Sequence, residues 1–153
     1  MLRTLQELFD NFTAQEVTPG ERENAVQLAT AVLLVDVMRA DTHANPQERA
    51  TVGAALRRTF ALSDAALVQL LTQAEQTAQN AYDYHQFTSH INDHFTQPQK
   101  IQLVEVLWQV AYADGYLDAH ENHLISKIAG LLHVTHGEYI GAKMRAKETA
   151  LLP

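Results

Sequence analysis

The sequence of 153 residues has no cysteine, only six glycines and four prolines, and no long apolar run. Without cysteine the chain has no disulfides, no thiolate nucleophile and no cysteine-based zinc or iron–sulfur site. So little glycine and proline disfavours a many-stranded sandwich and favours long helices. No apolar run approaches the roughly 20 residues that a membrane-spanning helix needs. With 46% hydrophobic residues, the chain is still long enough to bury a core as one domain.

Positive charge is also scarce, and it is not concentrated in one part of the chain. The net charge of −7 is spread evenly, with six basic and ten acidic residues in 1–76 and five basic and eight acidic residues in 77–153. A nucleic-acid-binding protein needs a basic surface to displace counterions, so nucleic acid is not an expected partner. The N-terminus lacks the continuous apolar region of a secretory signal, so we expect a cytoplasmic protein without stable membrane insertion.

Helix start signals recur along the chain. Four of them have a capping residue followed three positions later by glutamate, the pattern of a capping box, and they begin at Thr18, Asn45, Asp118 and Thr135. No segment alternates as a half-buried strand would. The sequence therefore predicts an all-α fold, a single bundle of seven to eight helices. The predicted helices span residues 2–13, 19–40, 46–60, 64–79, 81–94, 98–114, 119–133 and 136–149.

The first predicted helix is amphipathic, with an apolar face made of Leu2, Leu5, Leu8, Phe9 and Phe12. We expect residues 1–17 to pack on the bundle formed by residues 18–153. The alternatives are docking on a second subunit, which would make a homodimer, or on a membrane surface. The acidic residues that flank the apolar face make the membrane the least favoured of the three.

Two of the predicted helices are apolar nearly all round, as buried helices are, and they are copies of one another. A shift of 73 residues places 33–41 on 106–114 and Glu48 on Glu121, and a shift of 72 places 62–63 on 134–135. The internal repeat covers about 26–63 and 99–135. We expect the two helix–loop–helix units to pack about a pseudo-twofold axis, with the two buried helices at the centre.

Each buried helix ends in Ala-Asp, which puts a carboxylate at the negative end of the helix dipole. In the second unit this is Asp114, and Asp118 and Glu121 follow at spacings of four and seven. Three carboxylates are the hard oxygen donors that Ca²⁺ or Mg²⁺ prefers, so these residues are the predicted metal ligands. The alternative is that Asp114 braces its loop while Asp118 and Glu121 only cap a helix.

The first unit carries a weaker version of the same loop. Its counterparts of the three carboxylates are Asp41, Asn45 and Glu48, so one carboxylate is lost. Thr42 also replaces Gly115, which suits a left-handed turn after the helix. A cation site is therefore predicted more strongly for the second unit than for the first.

The string Tyr112-Ala-Asp-Gly-Tyr-Leu-Asp-Ala-His-Glu121 resembles the Ala-Asp-Gly, four residues, Glu signature of the TerB-like superfamily. That superfamily includes the tellurite-resistance protein B family and the central domain of a membrane-anchored DnaJ-like co-chaperone. The resemblance covers roughly residues 20–150. It implies an all-helical fold of two related halves and an adaptor or cation-sensing module of the stress response that acts through protein partners.

Histidines provide a second candidate metal site. His90 and His94 are spaced i, i+4, and His120 and His123 are spaced i, i+3, so each pair places two imidazoles on one helix face. Surface histidines are the favoured interpretation, because neither pair has an obvious third ligand nearby in sequence.

No catalytic motif is present: the chain has no nucleophile elbow, no P-loop and no glycine-rich dinucleotide loop. We therefore predict a non-enzymatic protein. One alternative is a metal-dependent all-helical hydrolase, which would gather two carboxylates and a histidine around an open cavity. The other is an oligomeric scaffold, which would show a large apolar patch on its outer helices.

Overall fold

A computed structural model of the chain describes residues 19–40, 46–80, 84–113 and 119–151. Seven α-helices and no strand lie in these ranges, so the all-α prediction is confirmed. The predicted helix 2–13 lies outside the described residues. The seven helices are α1 Pro19–Ala40, α2 Pro46–Phe60, α3 Asp64–Asn80, α4 His85–His94, α5 Gln97–Tyr112, α6 Ala119–Leu131 and α7 His136–Leu151.

Helices α1 and α5 form the centre of the bundle, as their apolar sequences predict. Leu34 of α1 and Leu107 of α5 are both fully buried and belong to one continuous core. Leu28 and Ile101, which occupy equivalent positions in the two helices, are only partly buried. Even this departure from complete burial is therefore shared by the two copies.

The packing of the helices repeats over three elements in each half. Central helix α1 packs most extensively on α3, and central helix α5 packs most extensively on α7. Each central helix also contacts the second helix of its own unit and the second helix of the other unit. The repeat is thus a three-helix unit, α1–α3 and α5–α7, and these paired contacts are the ones that a pseudo-twofold axis would generate.

Helix α4 joins the two units and packs on α1 and α6. Its apolar face contributes Phe87 and Ile91 to the core, where Ile91 is fully buried. Near the C-terminal end of α4, the side-chain amide of Asn92 donates to the carbonyl oxygen of Leu131 at 2.9 Å. Helix α4 therefore occupies a seat between the central helix of the first unit and the second helix of the second unit.

The turns that follow α2 and α6 are related by the same one-residue slip as the repeat in the sequence. Ala61 and His133 have φ angles of 53° and 60°, and they are the only non-glycine residues with positive φ in the described part of the chain. A shift of 72 residues relates them. The next capping residues are related in the same way, because Ser63 Oγ accepts from the Ala66 backbone N–H and Thr135 Oγ1 accepts from that of Glu138, both at 3.2 Å.

Six helix boundaries differ from the predicted ones by one to four residues, and two of these differences have an identifiable cause. Helix α5 begins at Gln97 because Thr96 caps it: the Thr96 and Gln99 side chains and backbones form a reciprocal capping box that the sequence reading missed. Helix α6 ends at Leu131, before the predicted residue 133, because the Val134 N–H donates to the Ala129 carbonyl in a Schellman-type turn.

One of the four predicted capping boxes is confirmed, at Thr135. The capping residues of the other three, Thr18, Asn45 and Asp118, lie outside the described residues. No helix in the described part of the chain is both long enough and apolar enough to cross a membrane.

Candidate functional site

The structure describes one residue of each predicted acidic loop. Glu48 is the third residue of α2 and Glu121 is the third residue of α6, and both are 0% exposed. Asp41, Asn45, Asp114 and Asp118 lie outside the described residues, so their predicted roles as ligands stay predictions. What the structure adds is that the two equivalent glutamates are completely buried.

Helix capping alone does not lead to this burial, as Glu138 shows. Glu138 is also the third residue of its helix, and its Oε1 accepts from the Thr135 backbone N–H at 2.9 Å in a complete capping box. Yet Glu138 is only partly buried. The hydrogen bonds from the Thr135 backbone and the Gln97 side chain hold the pKa of Glu138 below its usual value. What distinguishes Glu48 and Glu121 from Glu138 is therefore that each of them follows an acidic loop in the chain.

A carboxylate at the third position of a helix is near the positive end of the helix dipole. That position favours the ionised form, while burial disfavours it. A buried side chain at the start of a helix also has few rotamers open to it, so Glu48 and Glu121 each hold oxygen atoms in a restricted place directly after a loop. Such oxygens are suited to binding a hard cation or to bracing the loop by hydrogen bonds.

Asp36, one turn before the end of α1, is a further carboxyl group that the sequence analysis did not identify. Burial raises the pKa of Asp36 to about 6, and the Tyr84 hydroxyl, which donates to this carboxyl, and Arg39 oppose the rise. The Arg39 guanidinium is 4.0 Å from the Asp36 carboxylate. Burial and the neighbouring Asp36 in turn raise the pKa of Tyr84 to about 12. A lone acidic residue inside an apolar helix was the sequence signal for this group.

The equivalent part of α5, which precedes the second loop, belongs to an aromatic cluster. Gln109 and Tyr112 replace Asp36 and Arg39, and Tyr112 stacks on Trp108 with 5.8 Å between ring centroids. Tyr139 packs on Trp108 at 5.6 Å, and the Lys143 ammonium lies 4.8 Å from the Trp108 ring centroid. Burial raises the pKa of both tyrosines. The helices that precede the two loops therefore carry different groups, a carboxyl–phenol pair in the first unit and an aromatic cluster with a lysine in the second.

Two buried polar atoms of the helices that flank the second loop in the chain have no hydrogen-bond partner among the described residues. They are the indole Nε1 of Trp108 and the side-chain Oδ1 of Asn122, the residue that follows Glu121. The amide oxygen of Asn122 is a further uncharged oxygen ligand of the kind that binds hard cations. Nothing in the spacing of the sequence singled it out.

The histidine pairs are not brought together into a site. His120 and His123 on α6 and His94 on α4 are exposed, and His90 is partly buried. The Nδ1 atom of His94 is 2.8 Å from the backbone carbonyl of His90, so this nitrogen is engaged within its own helix. Among the described residues, no three His, Asp or Glu side chains lie close enough to hold a metal ion.

Four surface cavities of the described bundle can be compared with the open cavity that the hydrolase hypothesis requires. Glu105 is the one acidic residue that lines any of them, and none of them is lined by a histidine. Glu105 is itself paired with Arg145, whose Nε lies 2.6 Å from its Oε1. These cavities do not have the two carboxylates and one histidine that the hydrolase hypothesis requires. The absence of enzymatic activity stays a prediction.

The comparison with protein families gives one finding. The family model described as tellurite resistance protein TerB matches residues 27–144, which are 118 of the 153 residues and include Glu48 and Glu121. No curated protein and no solved structure matches the chain. Because the family match extends over most of the chain, across both repeat units, the protein belongs to the TerB family of tellurite resistance proteins.

Proposed function

We propose that the protein is a non-enzymatic TerB module whose acidic loops bind a divalent cation, Ca²⁺ or Mg²⁺. In this proposal it acts through protein partners in a tellurite-resistance-type stress response. Membership of the TerB family supports the link to tellurite resistance. The cation and the partners are inferred from the chemistry of the chain.

The observation that carries the proposal is the complete burial of Glu48 and Glu121 at equivalent positions. A buried carboxylate that is repeated in both units, directly after an acidic loop, offers oxygen atoms already withdrawn from bulk water. Asp114 and Asp118 precede Glu121 by seven and three residues, so the second loop adds two more carboxylates to the buried one. Carboxylate oxygens are the ligands that hard cations select.

The two loops differ in the strength of binding that we propose. The first loop has Asn45 in place of Asp118, so it carries one negative charge fewer. Arg39 is in the last turn of α1, directly before this loop and 4.0 Å from the Asp36 carboxylate, and its positive charge further weakens the attraction for a cation. The second loop is therefore the principal site, and we expect it to bind Ca²⁺ or Mg²⁺ only weakly.

Calorimetric titration with Ca²⁺, Mg²⁺, Mn²⁺ and Zn²⁺ tests the proposal on the intact chain. We expect Asp114→Asn to abolish binding, because it removes a charge that a hard cation requires while leaving an acceptor oxygen to brace the loop. Glu121→Gln should act in the same direction. Glu138→Gln is the matched control: it changes a glutamate at the same helical position, in a part of the bundle without an acidic loop, and should leave binding unchanged.

Three results would contradict this assignment. If the wild type binds no cation, the acidic loops have a structural role alone. If Zn²⁺ binds, survives Asp114→Asn and is lost in His120→Ala, the site belongs to the histidines. If Asp41→Asn weakens binding as much as Asp114→Asn does, the two loops are equal and the ranking given above is wrong.

A further inference from the structure

A groove runs between α2 and α5 on the surface of the bundle. It consists of two adjoining cavities of about 450 and 560 Å³, which share Arg58, Gln102 and Val106 as lining residues. Its floor is formed by core residues, among them Leu34 and Leu103. The groove thus has an apolar floor, which reaches down to the central helices of both units, and polar walls that include Arg58 and Gln102.

The pseudo-twofold arrangement explains where this groove comes from. Helix α4 packs on the central helix of the first unit and on the second helix of the second unit, α1 and α6. The equivalent seat lies on α5 and α2, which is where the groove is. The exposure of equivalent residues is consistent with an empty site on α5. Ala29 and Leu33 on α1 are 1% and 0% exposed. Of their counterparts on α5, Gln102 is exposed and Val106 is 7% exposed.

The chain carries a segment with the pattern that such a seat requires. On α4 and its preceding turn, the residues that face the core are Tyr84, Phe87, Thr88 and Ile91, at spacings of three, four and seven. Leu5, Leu8, Phe9 and Phe12 have the same spacings. The intervening positions of residues 5–15 are polar, apart from Ala14, as the exposed positions of α4 are. Residues 5–15 therefore have the amphipathic pattern of α4.

The connection to α1 is short. If residues 5–12 form a helix, they extend about 12 Å, and the six residues 13–18 that connect them to α1 span up to about 20 Å when extended. In the second unit α4 likewise precedes its central helix α5 directly. The segment that precedes α1 is thus in the corresponding place in the chain.

One unpaired charge on the wall of the groove is complementary to the segment, because the acidic residue that also lines the groove, Glu105, already pairs with Arg145. Arg58 on the wall of the groove has no carboxylate partner among the described residues, whereas Arg57 beside it pairs with Asp64. The polar face of residues 5–15 carries Glu7 and Asp10. An acidic amphipathic segment would therefore place carboxylates near an unpaired guanidinium.

We propose that residues 1–17 are the counterpart of α4 and occupy the groove between α2 and α5. A groove of about 860 Å³ between α1 and α3 is one rival site, and its lining includes no charged residue to meet Glu7 or Asp10. Its counterpart in the second unit is not occupied by a helix either, because there Gln97 donates to Glu138 at 3.0 Å across the gap between α5 and α7. A cavity of about 670 Å³ between α2 and α3 is the other rival site, and it is lined by Arg49 and Arg57, which pair with Glu75 and Asp64, and by Arg58. That cavity is not equivalent to the position of α4, which packs on α1 and α6.

The absence of cysteine makes a spin-label experiment on the full chain direct. A nitroxide is attached to Gln102→Cys in the α2–α5 groove or to Gln73→Cys in the α1–α3 groove, which are both exposed glutamines. Paramagnetic broadening of the backbone amides of residues 5–12 is then measured. We expect strong broadening from the Gln102 position and none from the Gln73 position. A label on Thr149→Cys, at the α7 edge of the same groove, should repeat the Gln102 result.

Substitutions within the segment complete the test. Phe9→Glu, on the apolar face, should abolish the broadening, and Gln6→Glu, on the polar face, should retain it. Broadening from Gln73 alone would place the segment in the α1–α3 groove, and no broadening from any label would mean that it docks in neither of the two labelled grooves. Broadening between labelled and isotope-enriched molecules in a mixed sample, without broadening within one molecule, would assign the groove to a second copy. Each of these three results would overturn the proposal.

Discussion

The two three-helix units share a packing scheme but differ in what they bury near their loops. The first has the carboxyl group of Asp36 beside Tyr84, and the second has Trp108 beside Tyr112 and Tyr139. They are identical in two respects: a buried glutamate starts the second helix, and a residue with positive φ ends it. The comparison shows that this fold tolerates different interiors, while the start and the end of α2 and α6 are kept alike.

The largest effect expected from this comparison concerns Trp108 and its counterpart Val35, which are both 0% exposed. Trp108→Ala should lower the free energy of unfolding by about 3–5 kcal/mol, because it leaves a large cavity. Val35→Ala should cost about 1–3 kcal/mol, since fewer methyl groups are lost. Urea unfolding followed by far-ultraviolet circular dichroism measures both. Equal costs would show that the second unit does not depend on its aromatic cluster.

The next effect concerns Asp36, whose pKa of about 6 in the folded protein lies above its ordinary value of 3.8. The folded state therefore binds a proton more tightly than the unfolded state does. Its contribution to stability is fully present below about pH 4 and is lost as the pH rises through 6. A shift of about two units corresponds to roughly 3 kcal/mol, which partial contact with solvent reduces to about 1–2 kcal/mol.

Asp36→Asn should therefore raise the free energy of unfolding by about 1–2 kcal/mol at pH 8 and leave it unchanged near pH 4. Asparagine retains an acceptor for the Tyr84 hydroxyl. Asp93→Asn on the exposed face of α4 is the control and should not alter the pH profile. A stability profile of Asp36→Asn that parallels the wild type between pH 4 and 8 would contradict the role given to burial.

A smaller difference is expected between the caps of α3 and α7. Thr135→Ala breaks a reciprocal capping box and should cost about 1–2 kcal/mol, whereas Ser63→Ala removes a single hydrogen bond and should cost about 0.5–1 kcal/mol. Thermal unfolding at neutral pH compares them. Because the pKa of Glu138 is lowered, its contribution is present at neutral pH and should fade as the pH falls below 4.5. A larger cost at Ser63 would reverse this ranking.

The smallest effect tests the equivalence of the two turns. A left-handed backbone costs a non-glycine residue about 1–2 kcal/mol, and glycine gives back roughly 0.5–1 kcal/mol through the entropy of the unfolded chain. Ala61→Gly and His133→Gly should therefore each stabilise the protein by up to about 1 kcal/mol. Chemical denaturation measures the pair, and stabilisation at only one of the two positions would break the proposed correspondence.

Much of the fold could be predicted because its signals are local. The starts of α1 and α2 follow from proline at the first helical position, and the burial of α1 and α5 follows from their apolar sequences. The candidate site could be predicted less completely from the sequence. Glu48 and Glu121 were identified as loop residues, but a capping pattern does not reveal whether the glutamate is buried, as the partly exposed Glu138 demonstrates.

The sequence by itself determined the helical class, the repeat and its one-residue slip, since periodicity, capping residues and self-similarity are properties of neighbouring residues along the chain. Tertiary structure alone decided which repeated residues lose contact with water. It also brought Tyr84 to Asp36, which is 48 residues away, and left a groove between α2 and α5. Those outcomes depend on which helix packs against which, and this choice lowers the free energy of the whole bundle rather than that of any one helix.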